Sequence, residues 1–142
     1  MPRLGRAYPI QPLYGLPSIW GVLVLSLPTE VSITDTTATV GCTTTSLIGT
    51  LYYFISTSAT PPSAADLKAG TGSVDFGNDA TITNPQTFGA TGLSASTTYY
   101  TYFIQNDGSD DSNLLESGSW ATTAGTSIPI FMHHYKQLMG AN

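Results

Sequence analysis

The chain has 142 residues, which is enough for one domain with a modest hydrophobic core. A hydrophobic content of 41% excludes a disordered composition, while charged residues make up only 9%, against about 25% in an ordinary soluble protein. The single cysteine, Cys42, excludes an intramolecular disulfide and a multi-cysteine zinc site. We expect Cys42 to be a small buried side chain within a strand.

The charges are unevenly distributed along the chain. All nine acidic residues lie between Glu30 and Glu116 together with one base, Lys68, so this stretch carries a net charge of −8. The remaining bases lie in the two end segments: Arg3, Arg6 and Lys136. An acidic body argues against general nucleic-acid binding, whereas basic ends favour head-to-tail joining or contact with an acidic neighbour.

Residues 1–27 read as an extended, apolar arm, with 22–25 as a possible short strand. Prolines at positions 2, 9, 12 and 17 prevent a continuous helix. The apolar run 19–27 is too short for a membrane span, and no signal-peptide cleavage site follows it. Because such an arm would not stay free in water, we expect it to cover its own domain or a neighbouring subunit. Its predicted partner-binding residues are Arg3, Arg6, Tyr8, Ile10, Leu13, Tyr14, Leu16, Ile19 and Trp20.

Residues 28–124 read as one β-rich domain of about seven short strands. The first strand alternates at Val31 and Ile33, and the next candidates are residues 38–44, 51–55, 73–76, 80–83 and 87–90. The 51–55 strand, LYYFI, is apolar on both faces, so we expect its outer face to be covered as well. After that strand, Ser63 predicts the start and Gly70 the end of one or two helical turns.

A turn of small residues, 92–96, leads into the most strand-like stretch of the chain, residues 97–106. Tyr99 follows Leu93 by six residues, a spacing that suits a tyrosine whose hydroxyl folds back onto the turn. We therefore expect Tyr99 to be buried, with its hydroxyl bonded to the backbone between Leu93 and Ser96.

This stretch resembles the GL-x-P-G-T-x-Y signature of fibronectin type III domains, which Gly92, Leu93, Thr97 and Tyr99 match. The similarity extends over roughly residues 28–124, since 118–123 resembles the last strand of the family and the insertion at 62–70 resembles one found in bacterial and phage members. The resemblance implies an all-β, seven-stranded, immunoglobulin-like sandwich. Its expected core includes Val31, Ile33, Val40, Leu51, Tyr53, Leu93, Tyr99 and Phe103.

Residues 125–142 read as a tail with a short amphipathic helix, which Ser127 can cap and Gly140 can end. Its predicted partner-binding residues fall at helical spacing: Phe131, Tyr135 and Leu138. Such a helix needs a surface on which to dock.

Motifs that carry catalytic chemistry are missing from the sequence. It holds no nucleophile elbow, P-loop, dinucleotide fingerprint or H-E-x-x-H motif. The aspartates at 107–111 miss the EF-hand spacing, and the adjacent His133 and His134 would point about 100° apart on a helix. We expect no enzymatic activity, no cofactor and no bound transition metal.

The preferred interpretation is a structural virion protein of a tailed bacteriophage, assembled in the host cytoplasm. The chain resembles head decoration proteins in plan: a small immunoglobulin-like domain, a proline-rich apolar arm and few charges. We expect its arms to bind capsid subunits and copies of itself; attachment to a tail tube or fibre is a near variant. The alternatives are an extracellular carbohydrate-associated or adhesion module, which exposed aromatics along one sheet face would favour, and a domain that binds a peptide at a sheet edge.

Overall fold

The computed structural model describes residues 22–125, which form two antiparallel sheets packed face to face. The strands are β1 (Leu25–Val31), β2 (Ala38–Thr44), β3 (Thr50–Ser56), β4 (Asp75–Asp79), β5 (Gln86–Ala90), β6 (Thr98–Asn106) and β7 (Leu115–Ala121), with a helix α1 (Ala64–Ala69) between β3 and β4. One sheet has the order β1-β2-β5 and the other β4-β3-β6-β7. The predicted all-β sandwich of seven strands is confirmed, while the predicted arm up to residue 21 and the C-terminal helix lie outside the described residues.

The hydrophobic core lies between the two sheets. Six of the eight predicted core residues are buried there: Val40, Leu51, Tyr53, Leu93, Tyr99 and Phe103. Ile33 is partly buried and packs against this core, and Cys42 is buried within β2, as expected. Burial raises the pKa of the Cys42 thiol to about 12, so at neutral pH it behaves as an apolar side chain.

The prediction that Val31 belongs to the core is wrong, because its side chain is 51% exposed. β1 begins at Leu25, earlier than the predicted first strand, and ends at Val31. Ser32 then takes a left-handed conformation with φ of 52°, which breaks the strand alternation that would have put Val31 and Ile33 on one face. Ile33 turns towards the core while Val31 faces solvent.

The outer face of β3 is covered, as its sequence indicates. Leu67 of α1 is fully buried and packs with Phe54, Tyr102 and Ile104 in a second apolar cluster. The Ser63 hydroxyl accepts the Asp66 N–H at 3.1 Å and Gly70 ends α1 with φ of 75°, so both predicted helix limits are confirmed. No helix within residues 22–125 is long and apolar enough to cross a membrane.

Residues 80–83, predicted as a strand, form an irregular loop instead. The Asp79 carboxylate accepts the Thr81 N–H at 2.7 Å, and the Gln86 side-chain oxygen accepts the Thr83 N–H at 2.7 Å. These side chains satisfy backbone donors that a strand would have given to a neighbouring strand.

The predicted bond between the Tyr99 hydroxyl and the turn is confirmed. The Tyr99 ring is buried and packs against Trp120 with ring centroids 5.4 Å apart. Its hydroxyl oxygen accepts the Ser94 N–H at 2.8 Å, within the predicted range of the turn. The bond ties the β5–β6 turn to the first residues of β6.

We expect Tyr99→Phe to lower the free energy of unfolding by about 1 kcal/mol or more, because the Ser94 N–H loses its acceptor. Chemical denaturation monitored by tryptophan fluorescence measures this change. Tyr100→Phe is the matched control, since Tyr100 lies on the other face of β6. Equal stability of Tyr99→Phe and wild type would contradict the role given to this hydroxyl.

Candidate functional site

The described chain begins and stops at opposite ends of the sandwich. Leu25 pairs with Thr44 at the end of β2, the following loop leads to Thr50, and Thr50 pairs with Asn106 at the end of β6. The other end of β6, at Thr98, pairs with the last residue of β7. We call these two ends the Val22 end and the Gly125 end.

The Val22 end exposes a group of apolar side chains that we call the Val22-end patch. It consists of Val22, Val24, Leu47, Ile48 and Leu114, five of the nine exposed large hydrophobic residues between 22 and 125. Leu47 and Ile48 are the most prominent, with 59% and 68% of their side chains exposed. More than half of the exposed apolar residues of the described chain thus lie at one end, and such clustering marks contact sites.

A buried glutamine holds the loop that carries Leu47 and Ile48. Gln105 is fully buried, and its Nε2 donates to the carbonyls of Ser46 and Ile48 at 2.9 and 2.7 Å. Its Oε1 accepts the Thr44 hydroxyl. The loop is therefore fixed through its backbone, while the two apolar side chains remain in solvent.

A second amide fixes the start of the described chain. The Asn113 Oδ1 accepts the Leu25 N–H at 2.8 Å, and its Nδ2 donates to the Leu25 carbonyl at 3.1 Å. Thr45 adds two bonds, since its hydroxyl donates to the Val22 carbonyl at 2.8 Å and accepts the Val24 N–H at 3.0 Å. The segments that carry the Val22-end patch are thus ordered before any partner arrives, which lowers the entropic cost of binding.

An acidic loop lies next to the patch, because Gly49 packs against the backbone of Asn106 and Asp107. The Asp107 carboxylate accepts the N–H groups of Ser109 and Asp110, and these bonds lower its pKa. The Lys68 ammonium lies 2.9 Å from Asp111 and lowers the pKa of that carboxyl. The loop therefore stays negatively charged at neutral pH.

Residues 22–125 contain no group of three or more His, Cys, Asp or Glu side chains placed to hold an ion. His133 and His134 lie outside the described residues.

Glu30 of β1 has a buried carboxylate oxygen, Oε1, without a hydrogen-bond partner. No other buried side-chain oxygen or nitrogen between residues 22 and 125 lacks a partner. Burial raises the pKa of the Glu30 carboxyl above its ordinary 4.5. The nearby Ser117 hydroxyl lowers this pKa by a smaller amount, and it also donates to the Gly118 carbonyl. The ionised form of Glu30 therefore opposes folding.

We expect Glu30→Gln to raise the melting temperature at pH 7 by a few degrees. The native state binds the Glu30 proton more tightly than the unfolded chain does, so the contribution of Glu30 to stability is fully present below 4.5 and is lost as the pH rises through the raised pKa. The variant lacks this loss, so the two melting curves should converge in acid. Glu116→Gln, which removes an exposed carboxylate, is the control. A constant difference between Glu30→Gln and wild type at every pH would refute the assignment.

The predicted partner-binding residues all lie outside residues 22–125, so they stay predictions. Sequence reasoning missed the Val22-end patch and Gln105. The signal available was the pair Leu47-Ile48, two large apolar residues between strands, where polar turn residues are usual. Nothing local distinguishes Gln105, whose partners lie about 60 residues away in sequence.

No family model and no curated protein sequence matches the chain. Several solved structures do. A computationally redesigned β-sandwich protein is 17% identical over 70% of this chain and 94% of its own, with a TM-score of 0.51. A myokine structure is 10% identical over 72% of this chain and 98% of its own, with a TM-score of 0.53.

A segment of chicken tenascin that contains two fibronectin type III domains is 15% identical, with a TM-score of 0.52. The match covers 71% of this chain and 50% of the tenascin segment. At these identities the likeness shows the fold alone. The described residues form a seven-stranded β-sandwich with one short helix, similar to fibronectin type III domains.

Proposed function

We propose that this protein is a non-enzymatic structural component of a tailed-bacteriophage particle, a head decoration protein attached through its terminal segments. The observation that carries the proposal is the arrangement of the Val22 end. The sandwich closes its own core, yet this end exposes five apolar side chains on ordered segments. A surface of this kind is suited to permanent contact with another protein rather than to chemistry.

The arm sequence is apolar close to this end of the described chain. Ile19 and Trp20 come three and two residues before Val22, so the sequence adds large apolar residues next to the start of the patch. Burying each large side chain is worth roughly 1.5–3 kcal/mol, so the seven apolar arm residues together supply a strong drive to bind. A neighbouring subunit of the particle provides a surface large enough for them.

The charge distribution supports the same attachment. The described body is strongly acidic, whereas both end segments carry only basic charges, at Arg3, Arg6 and Lys136. Like-charged bodies repel one another, so contact through basic ends favours a defined arrangement on an acidic neighbour.

The test is incorporation into particles. Virions are banded on a density gradient from a host that carries this gene, and the protein is quantified by mass spectrometry in separated heads and tails. We expect stoichiometric amounts in heads for the wild-type chain and loss of incorporation when residues 1–21 are deleted. The truncated chain should keep its sandwich, since the core cluster lies within residues 25–120.

A matched control keeps the length of the arm. Replacing Tyr14 and Trp20 together by serine removes apolar surface only, and Arg3→Gln with Arg6→Gln removes charge only. Incorporation that survives deletion of residues 1–21 would remove the main support for attachment through the arm. Protein found only in the tail fraction would favour the tail-attachment variant.

One observation bears on the carbohydrate-associated alternative. Phe76 is the only exposed aromatic side chain between residues 22 and 125, at 45%. A row of aromatics along one sheet face, which that alternative calls for, is therefore not found in this part of the chain. Specific retention of the protein on a glycan array would favour the alternative.

A further inference from the structure

We infer that the Val22-end patch binds the C-terminal segment of a second copy of this chain, so that molecules join head to tail. The inference concerns self-association and does not depend on the particle in which the protein works. It rests on three observations: an ordered apolar surface at one end, an exit at the opposite end, and complementary charge.

The Val22-end patch is both exposed and ordered, which favours the binding of an apolar group. Leu47 and Ile48 are exposed on a loop that Gln105 fixes by two backbone bonds, and Val24 is fixed beside them by Thr45. Ordered apolar side chains in water gain most when a complementary apolar group covers them.

The C-terminal segment has the matching composition. Phe131, Tyr135 and Leu138 recur at helical spacing, which gives an apolar stripe of the kind that docks on apolar surfaces. Residues 126–142 contain Lys136 and no acidic residue. The acidic loop at 107–111, next to the Val22-end patch, offers a favourable partner for that charge.

The geometry favours a second copy over the same molecule. The chain leaves the described body at Gly125, the end opposite the patch. As the helix predicted from the sequence, residues 127–140 would span about 20 Å, at 1.5 Å per residue. The sandwich is longer than this, since the nine residues of β6 alone extend about 30 Å. In that helical form the segment would fall short of its own patch but would reach the patch of a molecule placed end to end.

A contact between different surfaces of two identical molecules is heterologous and repeats. Each molecule carries one patch and one C-terminal segment, so the contact generates a ring or a linear chain rather than a closed dimer. This property makes the inference testable by complementation.

Two full-length variants each disrupt one side of the contact, either the patch or the C-terminal segment. The patch variant carries Leu47→Ser and Ile48→Ser, and the tail variant carries Phe131→Ser, Tyr135→Ser and Leu138→Ser. Sedimentation velocity over a concentration series measures self-association of each variant and of their mixture. The control carries Leu27→Ser and Val31→Ser, two exposed apolar residues of β1 outside the patch.

We expect concentration-dependent oligomers for wild type and control, and at least tenfold weaker self-association for each variant alone. Mixing the two variants should restore a single intact contact and give a 1:1 heterodimer that grows no further. Circular dichroism melts check that every variant is folded. We expect all of them to be folded, because every substituted residue between 22 and 125 is exposed.

Three results would overturn the inference. One is a wild-type chain that remains monomeric at about 1 mM, the limit of weak specific contacts. Another is a mixture of the variants that stays monomeric. The third is faster amide exchange at 45–49 after deletion of residues 1–21 but not in the tail variant, which would assign the patch to the N-terminal segment. Incorporation into particles is measured separately, so failure here leaves the proposed function standing.

Discussion

Replacing Gln105 with leucine is expected to lower the free energy of unfolding by about 3 kcal/mol and the melting temperature by about 10 °C. Leucine fills a similar volume but removes three hydrogen bonds at once. The Ile48 carbonyl loses its donor, the Ser46 carbonyl keeps only the Thr44 hydroxyl as a donor, and that hydroxyl loses one of its acceptors. Each partner left unsatisfied costs about 1–3 kcal/mol, so the sum exceeds that of an ordinary point substitution.

The matched control for this substitution is Thr44→Val. It removes the bond to the Gln105 Oε1 and the two bonds between the Thr44 hydroxyl and the Ser46 backbone, but leaves both bonds from the Gln105 amide to the loop, so we expect a smaller loss of about 1–2 kcal/mol. Thermal melts give the two losses, and hydrogen exchange locates them. The amide of Ile48 should lose protection in Gln105→Leu, while the amides of β6 keep theirs. Equal losses for both variants would show that the amide does not hold the loop.

Gly49→Ala is expected to be still more harmful, at about 4 kcal/mol or more. A Cβ at this position would lie 2.1 Å from the Asn106 carbonyl oxygen and 2.6 Å from the Asp107 Cα, and neither backbone atom can move aside cheaply. The φ of 96° adds strain for any residue with a side chain. The loop of the Val22-end patch would have to separate from the end of β6.

Gly72→Ala isolates the contribution of the clash. Gly72 has a similar φ of 82°, but no atom lies within 4 Å of the position a Cβ would take. We expect it to cost only about 1 kcal/mol of backbone strain. Denaturant titrations of both variants give the difference. Similar losses at the two positions would mean that the close approach at Gly49 does not matter.

Features set by residues near in sequence were predictable. The hydroxyl of Tyr99 bonds to the N–H of Ser94 five residues away, and Ser63 and Gly70 limit a helix of six residues. In each case the residues that decide the structure lie within one short window, where spacing and side-chain chemistry suffice.

Features set by distant partners or by a single backbone dihedral were not predictable. Val31 lies in a strand, as its sequence pattern predicts, but the left-handed φ of the following Ser32 determines that Val31 faces solvent while Ile33 faces the core. Residues 80–83 have a strand-like sequence, but their backbone donors bond to the side chains of Asp79 and Gln86 instead of to a neighbouring strand. The Val22-end patch is formed by three segments that are distant in sequence and adjacent in the fold. A local sequence pattern cannot predict that these segments come together.

The opposed ends of the described chain also determine how the sandwich bears a load. A pull at Val22 and Gly125 would load β1 at its first residue and β7 at its last residue. The two strands run in the same direction, and five residues of β1 pair with β2 as five residues of β7 pair with β6. Antiparallel ladder bonds lie across the strands, so this force would shear all of them together instead of opening them one by one. Rupture would then require nearly simultaneous loss of a whole ladder, and the fold would resist tension far longer than its equilibrium stability suggests.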